Sequence, residues 1–147
     1  MNNMKGFTLI EVLLVVAIIS ILGSIAFSSY QSSIQKSNRA DGKELLLRCA
    51  SMQERNFLRF NVYSDDEGVV CGAGANTVVT SIDGHYVLNV ENTNCPTAAD
   101  NGQCFEMTAT AQGSQRNDTT CLVLSLNQAG VKKSYSAYPG TETTGCW

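Results

Sequence analysis

Apolar residues run almost unbroken from position 7 to position 27, and beyond them the chain changes its hydrophobic period twice. At about 1.5 Å of rise per residue, the first run would form a helix roughly 30 Å long, enough to cross a bilayer's hydrocarbon core. It reads as a membrane anchor. Lys5 is the one cation ahead of it. Ser24 and Ala26 keep open an ordinary secretory cut at the far end, but the small-residue site such a signal needs is not formed there, so processing is expected in front of the run.

After residue 27 the chain turns polar, with neither proline nor glycine until Gly42. Ile34, Leu45, Leu46, Cys49, Ala50, Met52 and Phe57 recur at helical spacing, so the helix is expected to continue to about Arg55 with its apolar stripe on a globular head. Residues 61–76 are polar, glycine-rich and acidic at Asp65, Asp66 and Glu67. They read as a solvated connecting loop, without the alternating oxygen ligands of a calcium site.

Period two then takes over. Tyr86, Leu88 and Val90 share one face of a strand, as do Phe105, Met107 and Ala109, and then Leu122, Leu124 and Leu126. Residues 78–82 are a candidate edge strand. The architecture expected is α+β: a long N-terminal helix, transmembrane in its first half, packed on an antiparallel sheet of three to four strands. Beyond the run Asn127 to Gly130, the tail is rich in Ser, Thr and Gly. Such a composition builds little core and calls for a covalent staple.

Composition changes this picture in two respects. The formal charge is -3, so any attraction for a polyanion must come from a local patch. Lys36, Arg39, Lys43, Arg48, Arg55 and Arg59 stand against Asp41, Glu44 and Glu54 along the helix, which is either a solvated, ion-paired face or a surface for DNA or acidic partners. The 6 cysteines, Cys49, Cys71, Cys95, Cys104, Cys121 and Cys146, lack metal-ligand spacing and read as disulfides formed outside the cytosol. His85 is the single histidine, and no nucleophile triad, metal cluster or phosphate loop accompanies it, so neither enzyme activity nor a cofactor is expected. Asn117-Asp118-Thr119 fits a glycosylation triplet that is too common by chance to carry weight.

Glu11 is the anomaly of the apolar run, because a carboxylate within such a span costs a few kcal/mol unless it has a partner or a task. One turn from the helix start, it can reach the interface and gain from the helix dipole. Alternatively, it waits for a cation from another subunit.

The sequence Gly6-Phe7-Thr8-Leu9-Ile10-Glu11, with Lys5 before it and the apolar run after it, resembles the signature of type IV prepilins and pseudopilins. The resemblance implies a leader of residues 1–6 removed by a prepilin peptidase between Gly6 and Phe7, and N-methylation of Phe7. It implies that Glu11 neutralises a neighbouring subunit's new amine during assembly. A buried amine and a buried carboxylate are each costly alone and tolerable together. The expected partition is a helix over residues 7–56, anchored by residues 7–27, and a head over residues 57–147. Many members of the family have a proline near the position of Ser28. None stands here, which implies a straighter helix that melts less easily.

At the other end, Arg116 to Gly130 and the final Cys146-Trp147 are similar to PilE-like minor pilins of the type IVa system. Short loop closures and topology suggest Cys49 with Cys71, Cys95 with Cys104, and Cys121 with Cys146, the last resembling the family's disulfide-bounded C-terminal loop; other connectivities stay open. The function implied is a minor pilin of a type IVa pilus. It would help prime assembly at or near the tip, and support twitching motility, adhesion and DNA uptake. Its partners would be the prepilin peptidase, other major and minor pilins, and the inner membrane before export to the extracellular pilus. A major structural pilin, a type II secretion pseudopilin, and a DNA-receptor pilin with a basic patch of Arg116, Lys132 and Lys133 are the alternatives.

Overall fold

The computed structural model of the chain describes residues 8–91 and 102–147. The described residues fall into two units, one ending at Ile34 and the other running from Gln35 to Trp147. Helix α1, Leu9–Phe60, contributes to both.

In the first unit Leu9, Ile10, Val12 through Val16, Ile18, Ile19, Ile21, Leu22, Ile25 and Phe27 are all exposed. The helix is long and apolar enough to cross a membrane. Ser20 and Ser24 do not break that character. Their hydroxyls donate to the carbonyls of Val16 and Ile21 at 2.8 and 2.7 Å, so each polar group is satisfied by the helix itself.

In the second unit, α1 presents Gly42, Leu45, Leu46, Cys49 and Gln53 as its buried stripe. They cover an antiparallel meander of β1 Tyr86–Glu91, β2 Glu106–Ala111, β3 Val123–Asn127 and β4 Lys132–Tyr135, in spatial order of sequence. One row of the register runs Leu88, Ala109, Leu124, Ser134. Tyr86, Leu88, Val90, Phe105, Met107, Leu124 and Leu126 join Leu45 and Leu46 in the core. The fold is α+β, a long helix with an apolar stretch packed on a four-stranded antiparallel sheet.

Gly42 is where helix and sheet come closest. A Cβ there would lie 2.9 Å from Tyr86 ring carbons, and that ring is fully buried with no room to yield.

Three elements depart from the sequence expectation. The helix ends at Phe60 rather than near Arg55, because Phe57 still packs inward, its ring stacked 4.5 Å from that of Tyr63. Asn61 then stops the helix, adopting φ of 55° and donating its N–H to the Phe57 carbonyl at 2.8 Å. The acidic loop is not simply solvated: Asp66 caps a short helix α2, Glu67–Val70. Gln53 ties this loop to α1, its amide both donating to the Ser64 carbonyl at 2.6 Å and accepting from the Ser64 N–H at 3.1 Å.

Residues 78–82 form no strand, only a bridge of Thr80 to Val87, with Val78 and Ile82 left exposed. The fourth strand is instead Lys132–Tyr135, in a segment expected to be tail. Its two lysines suit an edge strand, where charge discourages pairing with another chain. The tail then returns to it: Thr143 N–H donates to the Ser134 carbonyl, the Ser134 hydroxyl donates back to the Thr143 carbonyl, and Tyr135 bridges Glu142. This return helps cover the sheet's second face, where Thr108, Val123 and Ser125 are buried.

Candidate functional site

The processing residues Gly6 and Phe7 lie outside the described residues. Glu11 sits in the first turn of α1, exposed, with its N–H directed at the Thr8 carbonyl at 3.1 Å and at Thr8 Oγ1 at 3.4 Å. Thr8 is thus the N-cap and Glu11 the third helical residue, the spacing at which a carboxylate gains from the positive end of the helix. The carboxylate forms no ion pair among the described residues.

The C-terminal loop is built around the Cys121–Cys146 disulfide, which spans 25 residues, while Cys49–Cys71 joins α1 to the end of α2. Cys104 is also disulfide-bonded. Its expected partner, Cys95, lies outside the described residues.

A second tie holds the loop beside α1. Arg39 grips Asp118 in two parallel bonds of 2.7 and 2.9 Å and reaches the Gly145 carbonyl at 3.3 Å. Planar guanidinium and planar carboxylate match edge to edge, which gives the pair its directionality. Behind it, the fully buried Gln115 amide faces Asp118, the Gln35 carbonyl and the Tyr86 hydroxyl. Burial pushes the Tyr86 phenol up to about 12, against the pull of the Gln115 N–H and with a further push from Asp118.

This scaffold positions an aromatic and several cations at the β4 edge. Trp147 donates its indole N–H to the Lys133 carbonyl at 2.6 Å, and Lys132 Nζ lies 5.3 Å from the indole ring. Burial, then the charges of Arg39 and Lys132, lower the pKa of the Lys43 amine. Lys133, half-exposed, contacts Glu142 at 3.5 Å.

The patch expected of Arg116, Lys132 and Lys133 is therefore not assembled in that form. Consecutive strand residues point to opposite faces, so Lys132 stands in the row of Leu126 while Lys133 stands in the row of Ser125. Arg116 belongs to a 3-10 turn, Gly113–Asn117, and lines a separate cleft. Trp147, rather than Arg116, accompanies Lys132 at the edge. Sequence reasoning missed Trp147 as a partner of Lys132 because the two meet only through the fold.

The acidic loop offers no vacant carboxylate at its centre. The two Asp66 oxygens accept the N–H groups of Val69 and Asn76 at 3.0 and 2.9 Å, and these donors, Asn76 first, hold its carboxyl below the usual range. Among the described residues no group of three His, Cys, Asp or Glu side chains converges.

Comparison with known proteins adds two family matches. Residues 28–125 match the family described as type IV minor pilin ComP, DNA uptake sequence receptor, and residues 1–27 match the prokaryotic N-terminal methylation motif. Fimbrial protein Q of Moraxella bovis is 60% identical over 37 residues, a stretch covering 25% of this chain and 24% of that protein; the chain thus spans about a quarter of that relative's length. The type IV major fimbrial protein FimA of Dichelobacter nodosus is 29% identical over 94% of this chain and 88% of its own length. Among solved structures, a type IV pilin from Shewanella oneidensis is similar with a TM-score of 0.49 and 23% identity, over 77% of this chain and 97% of that one.

Proposed function

The chain belongs to the type IV pilins of the ComP, DNA uptake sequence receptor family, and from that premise we propose that it is a minor subunit of a type IVa pilus whose head binds DNA. In this reading a prepilin peptidase removes residues 1–6 by cutting between Gly6 and Phe7, and Phe7 is N-methylated. The anchor of residues 7–27 holds the subunit in the inner membrane until Glu11 neutralises a neighbouring amine and draws it into the filament. Displayed outside the cell at or near the tip, the subunit helps prime assembly with other major and minor pilins. It also supports twitching motility, adhesion and DNA uptake.

The observation that favours DNA is the β4 edge, where Lys132 lies over the Trp147 ring and the Lys133 carbonyl accepts the indole N–H. With a formal charge of -3, the chain has no general attraction for phosphate, so the contact has to be local. Each lysine that neutralises a phosphate releases condensed counterions, which makes binding salt-dependent.

Fluorescence anisotropy of labelled duplexes on pili carrying the subunit, across a salt series, tests this. Lys132→Ala and Lys133→Ala should each weaken binding uniformly across sequences and lower the salt slope by about 1. Wild-type affinity and slope in the double variant would remove DNA from the β4 edge.

A major structural role is the second reading, favoured by the similarity to FimA along 94% of the chain. Abundance in sheared filaments distinguishes the two: a major pilin forms the bulk of the fibre, a minor one a trace.

A further inference from the structure

The sheet face opposite the core carries a cleft of about 700 Å³, whose lining includes neither Lys132 nor Lys133 of the β4 edge. Its floor is made of outward-facing strand residues, Asn89 on β1 and Thr110 on β2, both exposed. Glu91 and Arg116 bring one charge of each sign, and neither has an ion-pair partner among the described residues. Tyr138 and Pro139 form the wall on the tail side, where the Tyr138 ring is held edge-on against the buried ring of Tyr135 at 5.1 Å.

The size falls within the range of about 300–1,000 Å³ usual for sites that take small molecules. The lining decides which kind. Opposite charges cancel, so the cleft has no preference for an anion. A hydrocarbon would strip water from Asn89, Glu91 and Arg116 without replacing their hydrogen bonds, a cost of several kcal/mol. A peptide would pair through its backbone with a strand edge, whereas the floor here is a row of side chains.

A pyranose ring meets every requirement. Adjacent hydroxyls both donate and accept, which suits a guanidinium, a carboxylate, an amide and a threonine hydroxyl together. Its C–H face packs on an aromatic or proline wall.

We propose that the cleft of Asn89, Glu91, Thr110, Arg116 and Tyr138 binds a short neutral oligosaccharide. The site would give the subunit a glycan contact of its own. The inference does not rest on DNA binding, since it uses none of the residues at the β4 edge.

Saturation-transfer NMR and calorimetry on the full-length chain, in a detergent without a sugar headgroup, test it. The probes are chitotriose, globotriose and N-acetyllactosamine, with sialyllactose as an anionic counterpart and a short DNA duplex as competitor. At least one neutral probe should bind, and Asn89→Ala and Arg116→Ala should each weaken it by about tenfold or more. Lys132→Ala should leave it unchanged. Tyr138→Phe, which keeps the ring and its contact with Tyr135, reports on the wall with the fold intact. The proposal is overturned if no neutral probe binds at millimolar concentration, or if binding survives both cleft substitutions. It is likewise overturned if sialyllactose or the duplex is preferred and loses affinity in the cleft variants.

Discussion

A carboxylate such as Glu11 has two ways to be stable, and one substitution separates them. Its N–H already serves the Thr8 cap, and its charge sits at the positive end of the helix, so Glu11→Gln keeps the hydrogen-bonding shape and removes only the charge. If the charge is there for a neighbouring amine, Glu11→Gln should leave membrane levels of the chain unchanged while incorporation into sheared pili falls by at least about tenfold, a loss of about 1.4 kcal/mol. Unchanged incorporation would reduce Glu11 to a helix-end residue. Tyr86 gives a second test. Its phenol is raised to about 12 from the ordinary 10.0, so the neutral form is the one folding favours. That stability is complete below about pH 10 and is lost as pH rises through about 12. Melting curves should show a shallower alkaline fall for Tyr86→Phe than for wild type between those limits. Parallel curves would mean that Tyr86 titrates as if unburied.

Along α1, legibility followed the strength of the pattern. The apolar first stretch and the stripe at Leu45, Leu46 and Cys49 were plain from spacing, as were the inward faces of β1, β2 and β3. The stop at Asn61 was not, because a left-handed asparagine is a quieter signal than a glycine. Lys132–Tyr135 was hidden for another reason: its core-facing Ser134 is satisfied by Thr143 rather than by oil, so no alternation of apolar residues betrays the strand. At the β4 edge, Lys132, Lys133 and Trp147 were visible as residues, but the faces of the two lysines were set by the register. Gly42 was legible only as a helix interruption, whereas its role is to admit the Tyr86 ring. Gly42→Ala would gain up to about 1 kcal/mol of helix propensity yet force that ring or the helix aside at about 1–3 kcal/mol. The expected net is a destabilisation of about 1 kcal/mol in urea unfolding; a stabilised variant would show that the contact is slack.

In the molecule as a whole, the disulfides supply what a Ser-, Thr- and Gly-rich tail cannot. Cys121–Cys146 closes 25 residues, and by the loop-entropy relation its removal in a Cys121→Ser, Cys146→Ser double variant should cost about 3.5 kcal/mol. Thermal unfolding under matched conditions reads that loss directly, and an unchanged midpoint would leave the Arg39–Asp118 grip as the tail's main restraint. The bond has another consequence, which concerns load rather than equilibrium. A filament subunit pulled from its far end cannot pay out chain enclosed by a covalent ring. The 25 residue steps from Cys121 to Cys146 would otherwise release roughly 85 Å of slack. With the ring intact, tension passes from the tail straight into β3, which is held by hydrogen bonds to a strand on either side. Stretching the Cys121→Ser, Cys146→Ser double variant beside the wild type, both without reductant so that Cys49–Cys71 stays closed, should therefore show an unfolding step longer by about that much. Under tension the head then behaves as a short, stiff link rather than as a reserve of slack chain.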